Sequence, residues 1–345
     1  MSYINSLTGL RGLAALVVFL SHCANQGMLP GILGNGLGQL GVMLFFVLSG
    51  FLMGHLYLGS EANGENIQRY LVARAGRIVP LYTLLILSSM FISIFIYPNF
   101  HYHITEPQIL LRALMFIDAP YEFWTIPVEV QFYLVFTLFW IFYRRNASRQ
   151  FLLLFVALTA VPSILLFPRL GYVPPVFSSY SFAFFVGIGS ALVYPRIRNS
   201  PKSNRWANVL ALPAIVAFFL NLPAVRVEQG WLLGDHFFLR TWLDPVNWIV
   251  VCTVFYCALL NARRFNFLNA RPFVFLGEIS FGFYLIHYPV LKIAKAAGVP
   301  VLLQFPVSFA AITFLAWLSY HYFEKPANIW MKRQLLRRSF VYRSD

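Results

Sequence analysis

Among the ionisable residues in stretches built mainly from apolar side chains, four stand out: Arg11, His22, Glu129 and His287. At the centre of a helix in hydrocarbon such a group costs about 2.5–3.5 kcal/mol on insertion scales, so each needs a partner, a water-filled cavity or a function. Arg11 and His22 are eleven residues apart; that spacing turns a helix to within about 20° of three full turns and separates the two by roughly 16 Å along its axis. Both therefore point the same way. A cavity bordered by the pair could hold a long ligand with an anionic head at Arg11 and a reacting end at His22. The plainer alternative is an arginine that snorkels to the interface and a histidine that satisfies a carbonyl in the bundle.

Glu129 lies in Trp124-Thr125-Ile126-Pro127-Val128-Glu129-Val130-Gln131-Phe132-Tyr133. Its depth, counted from Trp124, is expected to match that of His22. A carboxylate beside an imidazole serves general acid–base chemistry, although a buried ion pair with an arginine would also account for it. Arg69, Arg74 and Arg77 cluster before Pro80 and Tyr82. They are either determinants of membrane orientation or a clamp for phosphates, which guanidinium forks fit. His287, in Ser280-Phe281-Gly282-Phe283-Tyr284-Leu285-Ile286-His287-Tyr288-Pro289, suits packing or catalysis. His101 and His103 flank Tyr102 with no third ligand close in sequence, so no metal is expected. Cys23 adjoins His22, but helix neighbours diverge by about 100°, which makes them a poor nucleophile and base pair.

The elements that must carry these residues are membrane spans. Hydrophobic residues make up 59% of the 345, and only 11% are charged, against about 25% in soluble domains. Ten apolar runs, near 8–25, 37–58, 79–97, 124–143, 151–167, 179–194, 207–222, 244–261, 276–296 and 301–323, are each roughly long enough to cross hydrocarbon. The expected fold is an all-α polytopic bundle of about ten spans, with a transmembrane domain over 1–330 and a basic cytoplasmic tail over 331–345. With the N-terminus inside, 19 of the 26 Lys and Arg fall on the cytoplasmic side and 6 outside, with Arg11 in the first span. This positive-inside split puts both ends in the cytoplasm. It also directs the net charge of +14 to lipid head groups, with no call for nucleic acid.

Two longer outer connections, 98–123 and 223–243, carry Glu106, Asp118, Glu122, Glu228 and Asp235, with Asp244 directly after the second, and could roof a site facing outward. No internal repeat and no matched pair of interrupted spans is visible, which weakens a transporter built from inverted halves. No Lys or Arg precedes Arg11, so the first span is expected to be retained, not cleaved as a signal peptide. Cys23, Cys252 and Cys257 fall in spans and give no disulfide framework.

Together these motifs resemble the acyltransferase-3 family, multispanning membrane acyltransferases of bacterial glycans. The resemblance runs through Leu10-Arg11-Gly12-Leu13-Ala14-Ala15 with His22, Phe45-Phe46-Val47-Leu48-Ser49-Gly50-Phe51-Leu52, the Arg74/Arg77/Pro80/Tyr82 segment, Trp124 with Glu129 to Tyr133, Ser280 to Pro289, and Phe323-Glu324-Lys325-Pro326. It implies O-acyl transfer, most simply of acetyl, from cytoplasmic acetyl-coenzyme A to a lipid-linked or exported glycan at a bacterial inner membrane, with glycan assembly or export proteins as further partners. By the same resemblance His22 and Glu129 are catalytic and Arg11, Arg74 and Arg77 hold the coenzyme. Ser49, Trp124, Tyr284 and His287 are further candidates to touch substrate, Ser49 and Tyr284 as polar groups that could face an oxyanion. Val130 departs from the family, which often has a second acidic residue there. The form implied is the short one, without a fused extracellular domain. The rival reading is a transporter or flippase in which Arg11, His22 and Glu129 relay protons or bind an anionic lipid head; a third is a scaffold for glycan assembly enzymes.

Overall fold

The computed structural model describes residues 4–170, 176–222, 225, 241–242 and 244–341. Among them every regular element is helical. The long helices are α1 (Asn5–Asn25), α2 (Leu37–Tyr57), α3 (Gly64–Phe91), and, after the short α4 (Pro107–Leu114), α5 (Thr125–Arg144), α6 (Arg149–Leu170), α7 (Phe177–Ile197) and α8 (Pro201–Leu220). Then follow α9 (Pro245–Leu259), α10 (Arg271–Glu278), α11 (Ser280–Ala296), α12 (Val301–Ser319) and α13 (Lys325–Val341). The outer surface is apolar: Leu302 is 91% exposed, Phe95 72% and Leu153 69%. Contiguous surface of this kind is suited to lipid, and the chain is a multi-pass membrane protein.

Seven helices among the described residues are long and apolar enough to cross a bilayer, and two bent pairs bring the number to nine. The first pair joins α9 to a 3-10 segment, Arg263–Asn269, at 74°; the second joins α10 to α11 at 79°. The apolar run over 276–296 is thus an interrupted element and not one straight span. The interruptions follow one another in the chain, so they do not form the matched pair that inverted halves would need. Two helices also continue through a π turn, α3 at Ile92–Ile96 and α12 at Tyr320–Glu324. The second turn joins α12 to α13 without a break, so helix extends past residue 330 and packs along the start of α3, where Gln68 Nε2 donates to Leu335 O at 3.2 Å. Most of 223–243, with Arg226, Glu228, Asp235 and Arg240, lies outside the described residues, as does Arg343.

Lipid supplies no hydrophobic drive for one helix to leave it for another, so close backbone contact holds the bundle together. Glycines provide that contact at the two seams that frame the centre. A Cβ at Gly277 would fall 1.9 Å from Thr8 O and one at Gly9 1.8 Å from Leu268 O, while at Gly50 it would meet Phe184 O at 2.0 Å. The first two fix α1 against α10 and the segment before it; the third fixes α2 against α7. Gly277→Ala is expected to destabilise the protein by at least about 3 kcal/mol, since a main-chain carbonyl cannot step aside as a side chain can. Thermal unfolding in detergent is the check, and a melting temperature equal to wild type would show that the seam yields.

Candidate active site

Arg11 and His22 both project from α1 into the interior, and each borders a cavity. The central cavity, about 700 Å³ including its open part, has Arg11, Arg74, Arg77, Ser49 and Glu129 on its wall. A second, of about 880 Å³, shares Arg11, Arg77 and Phe281 with it and opens among Glu324, Lys325 and Lys332. A third, of about 450 Å³, shares Val42 and Tyr284 with the central one and contains His22, Gln39, Glu122 and Trp124. The three therefore adjoin in a row, with cations at one end and an imidazole at the other.

Two helices set the orientation of His22. Its Nδ1 lies 2.6 Å from Nε2 of His287, with the rings stacked at 4.9 Å. His287 is 1% exposed, and its Nδ1 lies 2.5 Å from Tyr284 O. A carbonyl can only accept, so His287 Nδ1 carries the proton and its Nε2 the lone pair. His22 Nδ1–H must then donate to His287, which leaves the lone pair of His22 on Nε2. This is the tautomer of a general base or nucleophile, fixed by a neighbour as catalytic histidines commonly are. His287→Ala is expected to lower turnover about 10- to 100-fold, the range seen when a partner that orients a histidine is lost, and His287→Gln to recover part of it through its carbonyl oxygen. Steady-state kinetics of the two variants would contradict the tautomer chain if alanine and glutamine behaved alike.

Glu129 and His22 line different cavities. Its Oε1 accepts hydrogen bonds from Ser49 Oγ at 2.8 Å and Tyr133 Oη at 2.6 Å, and it faces the arginines across the central cavity. The carboxylate in the cavity of His22 is Glu122, carried there by the turn before α5. Ser49, whose hydroxyl is committed to Glu129, is poorly placed to donate to an oxyanion near His22. Tyr284 borders both the central and the third cavity, and Trp124 lines the third.

Arg74 and Arg77, three residues apart on α3, reach the same cavity, whereas Arg69 turns away and pairs with Glu65 at 2.5 Å. Among the described residues neither Arg74 nor Arg77 forms an ion pair, and the buried Nε of Arg74 has no hydrogen-bond partner. A buried donor left unmatched costs roughly 1–3 kcal/mol, more when charged. An anion in the cavity would relieve that cost. Arg11 donates from Nη2 to Ser280 Oγ at 3.0 Å, at the break between α10 and α11. The interruption thus supplies the hydroxyl that steadies Arg11.

Three further residues are brought to the site by the fold. Glu122 lies two positions before Trp124, in the connection expected to roof a site facing outward, and the turn before α5 carries it to the cavity of His22. His101 has no sequence signal, since only the fold brings it within 3.0 Å of Glu122. Glu324, in the conspicuous Phe323-Glu324-Lys325-Pro326 stretch, is turned inward by the π turn, where it accepts from Ser319 Oγ at 2.9 Å beside Arg11 and Arg77.

The acyltransferase domain family matches residues 4–321. The chain belongs to this family. Among similar proteins, a putative peptidoglycan O-acetyltransferase of Bacillus subtilis is 27% identical over 99% of this chain and 57% of its own length. The peptidoglycan O-acetyltransferase of Listeria monocytogenes is 24% identical over 94% of this chain and 56% of its own length. A putative acetyltransferase of Acidianus two-tailed virus is 28% identical over 90% of this acyltransferase-family chain and 89% of its own length. The chain thus spans a little over half the length of the two bacterial relatives. No solved structure matches it.

Proposed function

We propose that this protein is an O-acetyltransferase that takes an acetyl group from cytoplasmic acetyl-coenzyme A and places it on a hydroxyl of an exported or cell-wall glycan at a bacterial cytoplasmic membrane. The observation that carries this reading is the row of adjoining cavities with Arg74 and Arg77, which form no ion pair among the described residues, at one end and a lone-pair imidazole at the other. The names of the bacterial relatives favour peptidoglycan as the glycan.

On this reading Arg74 and Arg77, with Arg11, hold the phosphates of the coenzyme; the orphaned Arg74 Nε supports that fit. Acetyl-coenzyme A supplies an activated acyl carbon and a thiolate leaving group. His22 Nε2 accepts the acceptor hydroxyl proton as the hydroxyl oxygen bonds to the acyl carbon. It returns that proton to sulfur as the carbon–sulfur bond breaks. His287 holds the ring through both steps. Glu129, hydrogen-bonded to Ser49 and Tyr133, shapes the middle of the passage and faces the arginines. The basic tail and the arginine end face the cytoplasm, following the charge asymmetry of the sequence.

Incubating purified protein with acetyl-labelled coenzyme A and soluble peptidoglycan strands is expected to give label that mild base releases from the glycan. A transporter would give neither labelled ester nor free acetate, and that result would refute the reading.

A further inference from the structure

The third cavity, on the side expected to face outward, contains polar groups that acyl activation by His22 does not use, and each is held in a fixed orientation. Glu122 sits in the 3-10 turn Tyr121–Trp124, directly after Tyr121, whose φ of +54° is unusual for an aromatic residue. A strained backbone next to an oriented side chain is a reason to ask what that side chain does. Glu122 Oε2 accepts from His101 Nε2 at 3.0 Å, and both side chains are about 15% exposed. His101 lies flat on Tyr288, ring to ring at 4.0 Å, and Gln26 Nε2 donates to the Tyr288 hydroxyl at 2.7 Å. One carboxylate oxygen is therefore committed. The other, Oε1, has no hydrogen-bond partner among the described residues.

Gln39 shows the complementary arrangement on the same wall. Its Oε1 accepts from Trp242 Nε1 at 3.0 Å, which fixes the amide and leaves Nε2 without a partner among the described residues. The cavity thus offers one oriented acceptor and one oriented donor, together with the ring of Trp124. A carbohydrate matches this set, since its hydroxyls both donate and accept and its C–H face lies well on an aromatic ring. A phosphate does not, because the Glu122 carboxylate would repel it.

We infer that this cavity is the acceptor subsite, in which Glu122, positioned by His101, and Gln39, positioned by Trp242, grip hydroxyls of a neutral sugar beside Trp124. The inference rests on the acyl-transfer reading for its purpose but not for its test. Binding of soluble peptidoglycan strands to the purified protein, measured by calorimetry without any acyl donor, is expected to weaken about tenfold or more in Glu122→Gln and in Gln39→Leu. His101→Phe is expected to weaken it similarly. His101→Gln, which keeps an N–H near the position of Nε2, is expected to restore it, and a residue needed only to fill space would not show that split. Wild-type affinity in Glu122→Gln and Gln39→Leu would overturn the assignment, as would equal loss in both His101 variants. A protein that binds the strands in this pattern but never transfers label would refute acyl transfer and leave the subsite standing.

Discussion

His22→Ala is expected to lower acyl transfer by at least about a thousandfold while the protein is inserted and purified at wild-type yield. General acid–base groups contribute about 10²–10⁴ in rate, and here the same nitrogen handles the proton twice, leaving the hydroxyl and reaching sulfur. Loss of a thousandfold corresponds to about 4 kcal/mol of transition-state stabilisation. Packing gives no reason for the protein to fail: His22 is only partly buried, and its hydrogen bond to His287 is at the edge of a cavity into which water can follow. Rate should fall far more than affinity for either substrate. Near-normal turnover in His22→Ala, measured by label incorporated into glycan, would remove His22 from the chemistry.

The second large effect is expected at the other end of the row. Arg74→Ala with Arg77→Ala should raise KM for acetyl-coenzyme A about a hundredfold or more, since charge-assisted hydrogen bonds are worth about 1.5–3 kcal/mol each. The discriminating control is acetyl-pantetheine, which carries the same thioester and no phosphate. Its kcat/KM should be nearly the same in the double variant and in wild type, because the arginines act on phosphate and not on the acyl carbon. An equal loss with both donors would mean that the arginines shape the passage instead of binding phosphate. Arg11 is less useful for this purpose, because it also contacts Ser280 at the helix break, and its removal would disturb that element as well.

Most of the helices could be read from hydropathy, because a segment that must satisfy its own backbone in lipid has few alternatives to a helix. The interruption between Glu278 and Ser280 could not. Gly277 beside it is in close contact with Thr8, a tertiary event, and a single Gly-Glu pair within an apolar stretch does not by itself announce a bend of 79°. Arg11 and His22 could be related because they share one helix, where spacing fixes relative direction. The cavity that Glu129 enters could not be read in the same way: depth on one helix says little about it when a neighbouring turn competes for the same space. The His101 to Glu122 contact joins residues twenty-one apart through a loop that buries Tyr102, whose hydroxyl donates to Leu285 O at 3.0 Å. Such contacts are set by the packed bundle and not by a repeat in the sequence.

Sidedness tests the central claim most directly, namely that the acyl group crosses the membrane while its carrier stays on the cytoplasmic face. In vesicles containing protein of one orientation, acetyl-labelled coenzyme A would be supplied on the face of Arg74 and Arg77, with peptidoglycan strands only on the face of His22. Labelled glycan is expected on the far side with all coenzyme A retained on the near side, and no label should appear in vesicles bearing His22→Ala. Ester formed only when donor and glycan share one compartment, or coenzyme A recovered with the glycan, would contradict it.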